Sequence, residues 1–442
     1  MNNDIAPQQD SLYRLNMIFV GDIMGHDGQI KSAYQASDKT YDYVDNYEFV
    51  APIIKSFDLA FCNLEVTLPG KPPYAGYPNF RSPDAIALAL KEAGFDVVVS
   101  ANNHSNDGFG KALSHTIDTL RGLGFYQTGT FKNQAERDSL YPLLIEKNGF
   151  KLAVLNYTYG TNGIKDTPPT IVNMIDTALI RKDVVNAHSK NPDLVIAVMH
   201  WGDEYQLIEN RYQRQLADFL ASLDVNIIIG SHPHVIQPVR YVKKPDGDSI
   251  VCVYSMGNYI SNQNQPNTDG GIMFEVGFTK HKESGEVKLD TFYHHLIWRY
   301  RAPSNEQSGK RFQVIPIQAY EKGLLAPFML SDTDKAKMDD FSKRMRLHIQ
   351  TNSVSAENNE YDRFFKSPET ALYYHVQLLA VQKPVSSDTF ANLKIQIEEK
   401  HEQGIVRYIS TGYLQKEDAA KALEQVKSSG FPDAFIVSYL NG

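Results

Sequence analysis

Cysteine is almost missing from these 442 residues, and the two present, Cys62 and Cys252, lie inside the apolar runs "LAFCNLE" and "IVCVYSMGN". A thiol in such a run behaves as a small buried hydrophobe, so the chain folds without staples and offers no thiolate metal site. No window is apolar for long enough to span a bilayer. No block of basic residues occurs, and the formal net charge of −8 argues against an electrostatic grip on nucleic acid. No G-x-S-x-G elbow and no Walker-type glycine loop is present, which sets aside a serine triad on that pattern and a P-loop. The opening "MNNDIAPQQDSLYR" is polar; residues 1–12 read as a disordered tail, such as remains when an export or lipid-attachment segment has been removed.

What the chain does have is length and a repeated pattern. It is too long for one ordinary domain. Over the first three hundred residues, short β-branched runs alternate with glycine-bearing loops and helical stretches. The strand candidates are "LNMIFVGD", "LAFCNLE", "DVVVSANNH", "KLAVLNYTYG", "DLVIAVMHWG", "VNIIIGSH" and "SIVCVYSMGN". "PDAIALALKEAG" and "GKALSHTIDTLRGLG" read as helices, the second stopped by a glycine suited to a left-handed cap. The class is α/β with a layered sheet core.

The polar residues collect where these runs end. Asp22, Glu65, Asn103, His104, His200, His232 and His234 all follow strand candidates, the place where open α/β sheets bind ligands. Each alone has an ordinary explanation, since a strand-end Asp caps a helix and a lone His is often just a satisfied polar group. Together they read as one site. Imidazole, carboxylate and amide oxygen suit Mn, Zn or Fe. In "GSHPHV" the proline stiffens a loop from which both histidines can face one centre, and Glu65 is the candidate carboxylate for bridging two divalent ions.

"FVGDIMGHDGQI", "FCNLEVTL", "SANNHSNDGFG", "MHWGDEY", "GSHPHVIQPV" and "YSMGNYISNQ" occur in that order. The series resembles the poly-γ-glutamate capsule synthesis CapA family, whose fold belongs with the calcineurin-like metallophosphoesterases. The resemblance covers roughly residues 13–300. It implies a metallophosphoesterase-like layered β-sandwich flanked by helices, and metal ligands at Asp22, Glu65, Asn103, His200, His232 and His234. It also implies that His104 protonates a leaving group. Met24 stands where these phosphoesterases carry a histidine, and a thioether is a poor ligand for a hard ion. Ser105 replaces an acidic residue, which leaves Asp107 as the candidate partner of His104. Glu204 is a candidate base or supporting carboxylate. Arg81 could fork onto a carboxylate or phosphate, while Tyr159 and Asn258 are candidates for lining the substrate pocket.

Past residue 300 the pattern changes. "SDTDKAKMDDFSKRMRLHI" has helical periodicity and the polar stretch after it reads as a connector, so residues 301–370 form an extension and linker. Residues 371–442 read as strand, helix, strand, helix, strand, with "SDTFANLKIQIEEKHEQG" as the first helix. "YYHVQLLA", "RYISTGYLQKEDAAKALEQVKSSGF" and "DAFIVSYLNG" resemble a SPOR domain, which implies glycan strands of peptidoglycan as ligand, met by a sheet face carrying Tyr373, His375, Gln377, Tyr408 and Ser410 or their alternates. The expectation is an envelope protein exported by a signal outside the given chain, acting on an anionic envelope polymer or a phosphoester. It would be a metal-dependent hydrolase, or a non-catalytic binding or assembly factor on the same fold, or an ordinary phosphoesterase.

Overall fold

The computed structural model describes residues 11–302, 312–326, 328–365, 372–393, 395–402, 405–413 and 416–440. Residues 1–10 of the expected tail lie outside them. The chain divides into two units, one of residues 1–322 with 330–359 and one of residues 323–329 with 360–442.

The first unit is a mixed α/β structure with layered sheets. In one sheet the strands Leu12–Ile23, Leu59–Leu64, Val97–Val99 and Tyr126–Thr128 run parallel. Gly270–His281 joins Leu12–Ile23 antiparallel and leads outward to Val287–Arg301 and Phe312–Pro316. These long antiparallel strands were not among the strand candidates. In the second sheet Phe150–Thr158, Leu194–His200, Ile227–Ser231 and Ser249–Val253 run parallel, with antiparallel strands Leu143–Lys147 and Val239–Lys243 at the two edges.

Strand Leu194–His200 is buried along its whole length, which is why it reads as a continuous apolar run rather than an alternation. Phe19, Phe61 and Val99 of one sheet and Val198 and Ile229 of the other line one narrow cavity, so the sheets pack face to face. The outer face of the second sheet buries Leu155, Ala197 and Ile228 against Ile180, Val184, Leu216 and Leu220 of helices Thr177–Ser189 and Arg211–Ser222. Each Leu, Ile or Val among them contributes about 1.5–3 kcal/mol by leaving water. Helix Asp332–Asn352 is capped by the Ser331 side chain and buries Met338, Phe341, Met345 and Ile349, an amphipathic spacing.

The second unit departs from its expected element order. A four-stranded antiparallel sheet runs Ile397–Glu402, Ile405–Ser410, Leu372–Val381, Phe435–Leu440. The segment expected as the first helix instead supplies a short turn at Ser387–Phe390 and a strand of a hairpin. The reason is legible in "LKIQI": Leu393, Ile395 and Ile397 recur every second residue, and all three pack on Val376, Leu378, Ala422 and Val426. Helix Lys416–Ser428 packs against this core. His375, Gln377, Tyr408 and Ser410 are buried, not displayed as the expected glycan-facing set; Tyr373 alone of the five is half-buried. His375 Nδ1 lies 2.6 Å from the Ser410 carbonyl, and the Tyr408 hydroxyl accepts from Val385 N at 2.9 Å.

Candidate functional site

Backbone irregularities aim the polar side chains. Along the pair Leu12–Ile23 and Leu59–Leu64, Val20 faces Cys62 and Asp22 faces Asn63, so Gly21 is an extra, bulged residue. A Cβ there would stand 1.8 Å from the Gly257 carbonyl oxygen, which leaves room for glycine only. In the second sheet, the loop after Ile227–Ser231 holds His232 at φ 100° and His234 at φ 60°. Left-handed backbone costs such residues about 1–3 kcal/mol each, so the surroundings must hold them. His232 N donates to Asp22 Oδ2 at 3.2 Å, and Tyr205 N donates to the Pro233 carbonyl at 2.8 Å.

Asp22, Glu65 and His200 form one group able to hold a metal ion, and Glu65, His232 and His234 form another, with ligand atoms in each within 4.8 Å. Glu65 belongs to both. His200 Nε2 is 3.6 Å and His234 Nε2 3.8 Å from Glu65 Oε1. The far nitrogens are anchored: His200 Nδ1 lies 3.0 Å from Ser231 Oγ, and His234 Nδ1 lies 3.0 Å from Asp22 Oδ2 and 3.1 Å from Asn258 Oδ1. That leaves each Nε2 for the centre, the usual way a ligand imidazole is oriented. Asn103 Oδ1 joins at 2.7 Å from His200 Nε2.

Both Glu65 oxygens are buried with no hydrogen-bond partner, and so is His232 Nδ1. Buried polar groups are nearly always satisfied, and a divalent ion is the partner this donor set fits. The electrostatics agree. Burial, then the neighbouring Asp22 carboxylate, pushes the Glu65 pKa well up. Burial would also raise Asp22, but its hydrogen bond to His234 and the charges of His234 and His200 reverse this and leave it lowered. Burial and the neighbouring imidazoles hold His200 down at about 3 and His232 well below its ordinary value. Both shifts favour the neutral form of the imidazole, the form that ligates a metal.

His104 stands beside this cluster in a loop tied by side chains. Ser105 Oγ donates to the Ser100 carbonyl at 2.6 Å, and Asn102 Oδ1 accepts from His104 N at 3.1 Å. Asp107 Oδ2 lies 2.7 Å from His104 Nδ1 and accepts from Phe80 N at 2.5 Å. The ring of Phe80 meets His104 edge-on at 4.6 Å and His26 at 4.9 Å.

The remaining candidates fall in different places. Tyr159 stands over His232, ring centres 4.5 Å apart, and is 43% exposed, which puts it at the mouth. Burial, then the charges of Glu204 and Glu65, raises its pKa to about 12. Glu204 is exposed, outside both ligand groups. Arg81 is half-buried and forms no ion pair among the described residues; its Nε is buried without a partner. Asn258, a candidate for lining the pocket, is fully buried against His234, with Oδ1 on His234 and Nδ2 donating to Gln263 Oε1 and the Thr268 carbonyl. Met24 is buried and in neither ligand group.

Three contributors escaped the sequence reading. Asn63 Nδ2 donates to Asp22 Oδ1 at 2.8 Å, and Ser231 holds His200. Asn162 lies between Asn103 and His104, its Oδ1 accepting from Asn103 Nδ2 at 3.3 Å and its Nδ2 3.5 Å from the His104 ring. Asn63 and Ser231 each precede or follow a strand-end donor by a residue or two, a usable signal; "TNG" reads only as a turn.

The family profile described as "Bacterial capsule synthesis protein PGA_cap" matches residues 16–263. The "Capsule biosynthesis protein CapA" of Bacillus anthracis is 27% identical over 355 residues, 77% of this chain and 78% of that protein. The "PGA biosynthesis protein CapA" of Bacillus subtilis (strain 168) is 26% identical over 323 residues, 70% of this chain and 72% of that one. Among solved structures, the NAD nucleotidase of Haemophilus influenzae overlays with a TM-score of 0.42 at 11% identity, covering 96% of this chain and 95% of its own. A phosphatase of Mycoplasma pneumoniae overlays with a TM-score of 0.35 at 14% identity, covering 64% and 94%. Both overlays are loose.

Proposed function

Because the chain belongs to the bacterial capsule synthesis protein PGA_cap family, we propose that its first unit is a metal-dependent hydrolase of an anionic envelope polymer, poly-γ-glutamate or one like it. The observation that carries this reading is Glu65, a buried carboxylate with two partnerless oxygens, shared by two ligand groups. Asp22, Glu65, His200 and Asn103 would hold one Mn, Zn or Fe ion, and Glu65, His232 and His234 a second. Such ions polarise an acyl or phosphoryl group and lower the pKa of an attacking water.

The chain's own residues supply the rest. Asp107 fixes His104 through Nδ1, so that Nε2 can pass a proton to the leaving nitrogen or oxygen. Phe80 walls this imidazole on one side, and Tyr159 offers a hydroxyl at the mouth. Asn258 and Ser231 act behind the ligands by holding His234 and His200.

A second reading is favoured by Met24. With a thioether two residues after Asp22, an ion position is poorer in ligands, and a non-catalytic polymer-binding or assembly factor results. The relatives named for capsule biosynthesis support an envelope location, and the second unit, as a SPOR-like module, would meet peptidoglycan glycan through residues other than the buried His375, Gln377, Tyr408 and Ser410.

Elemental analysis of wild type and of His232→Ala/His234→Ala, followed by assay on γ-glutamyl oligomers and phosphoesters, separates the readings. The hydrolase reading expects near-stoichiometric metal that vanishes in the double variant, and turnover that His104→Ala removes. Metal without turnover on either substrate class supports the binding factor instead.

A further inference from the structure

Arg299, near the end of strand Val287–Arg301, is only 6% exposed. A buried guanidinium normally meets a carboxylate. This one forms no ion pair among the described residues. Its Nη2 donates to the Gln263 carbonyl at 3.1 Å, and its Nε is buried without an acceptor. Asp269, the acid whose charge bears on it, accepts from Trp298 Nε1 at 3.1 Å. Burial lowers the Arg299 pKa to about 10, which still leaves it charged at neutral pH.

The loop that Arg299 touches leads to the ligand cluster. Gln263 Oε1 accepts from Asn258 Nδ2 at 2.8 Å, and Asn258 Oδ1 holds His234. Gln263 Nε2 reaches the Tyr205 hydroxyl at 3.5 Å, and the Tyr205 ring stands 6.2 Å from His234. On its other side the loop abuts the segment after His26, because a Cβ on Gly28 would come within 2.8 Å of Asn262 Nδ2. The charges of His234, His104 and Arg299 all bear on His26. Arg301, two residues on and so on the same strand face, is exposed and donates to Asn262 Oδ1 at 2.8 Å and Asn264 Oδ1 at 3.3 Å.

We propose that Arg299, with Arg301 outside it, forms an anion subsite beside the ligand cluster, taking a carboxylate or phosphate of the substrate other than the group that reacts. Paired N–H donors of a guanidinium match either oxyanion. The inference rests on the hydrolase reading and adds to it the place where a second acid of the polymer, on a unit next to the one that reacts, would be held. An arginine serving structure alone has its donors filled by the protein, as Arg137 does with Asn173 and Asp183.

The test is calorimetric binding to the full, Mn-loaded chain, with three probes: a γ-linked glutamate trimer, its methyl ester, and a glycerol phosphate trimer. Arg299→Gln removes the charge and Arg299→Lys keeps it without the fork. The proposal expects the acid trimer to bind at least about tenfold more tightly than the ester, with a loss of about tenfold in Arg299→Gln and a smaller loss in Arg299→Lys, at unchanged metal content. Acid binding that is equal in wild type and both variants overturns the subsite and leaves the hydrolase reading standing. Binding of glycerol phosphate alone, with the same dependence on residue 299, supports the subsite and removes poly-γ-glutamate as substrate. Absence of residue-299-dependent binding by either oligomer overturns it. Should Arg299→Gln not fold, equal affinity of wild type for acid and ester decides against the proposal.

Discussion

The first unit buries two clusters of charge that are finished in opposite ways. Around Asp183 every partner is in place: Arg137 Nη2 donates to Oδ2 at 2.6 Å, Tyr157 donates to the same oxygen at 2.9 Å, and Arg137 Nε donates to Asn173 at 2.7 Å. The Tyr141 ring lies 4.7 Å beneath the guanidinium. Around Glu65, equally buried, three imidazoles and a second carboxylate converge, yet neither oxygen finds a donor. A charge network that closes on itself holds helices to a sheet. One left open has been kept for something that arrives later, and folding alone does not account for its cost.

The largest effect should come from removing Glu65. Glu65→Leu should abolish metal binding and any hydrolysis, while the metal-free variant becomes more stable than metal-free wild type by about 1–3 kcal/mol, because an apolar side chain replaces a partnerless buried acid. Metal analysis and urea unfolding in chelator check both halves. A variant that keeps its metal, or one that is strongly destabilised, would erase the contrast with Asp183.

Next in size is the proton donor. His104→Ala should lower turnover by about 10²–10⁴ with metal content intact. Asp107→Asn should cost less, since it disturbs the orientation of the imidazole without removing it. Parallel loss of metal in either variant would mean that His104 and Asp107 hold Asn103 in place as a ligand, and that His104 is not a separate acid. On the closed side, Asp183→Asn should lower stability by about 3–5 kcal/mol through the stranded Arg137 guanidinium, and leave metal content unchanged. Metal loss there would show the two clusters to be coupled.

How much of this was readable beforehand differs along the same line. The parallel strands were legible because β-branched runs have one dominant explanation, and their polar ends marked Asp22, Glu65, His200, His232 and His234 as a set. The bulge at Gly21 and the left-handed histidines were not legible, since they depend on close approach of other strands. The contact of Asn258 was not legible for a related reason: sequence put it at a strand end but could not say that it lies on Nδ1 of His234. In the second unit, hairpin and helix competed over "ANLKIQIEEK", and the period-two apolar residues decided for the sheet. Arg299 was invisible because nothing in "IWRYRA" tells a paired guanidinium from an unpaired one.

The smallest effect concerns a third kind of buried charge site, one that avoids charge altogether. His294 is 3% exposed on strand Val287–Arg301, its Nδ1 3.4 Å from Ser355 Oγ. Burial, then the charges of His295 and Arg346, lowers its pKa to about 3. The unfolded chain takes up a proton near the ordinary value of 6.5, while the folded chain resists until about 3. Over that interval the unfolded state binds more protons, so stability is full above the upper value and is lost as pH falls through the window. His294→Gln should therefore flatten the acid side of the stability curve, seen as a smaller fall in urea midpoint between neutral and mildly acidic pH in the presence of chelator. An unchanged acid slope would mean that water or a counter-charge reaches His294 and offsets its burial, and that the site belongs with the closed cluster around Asp183 after all.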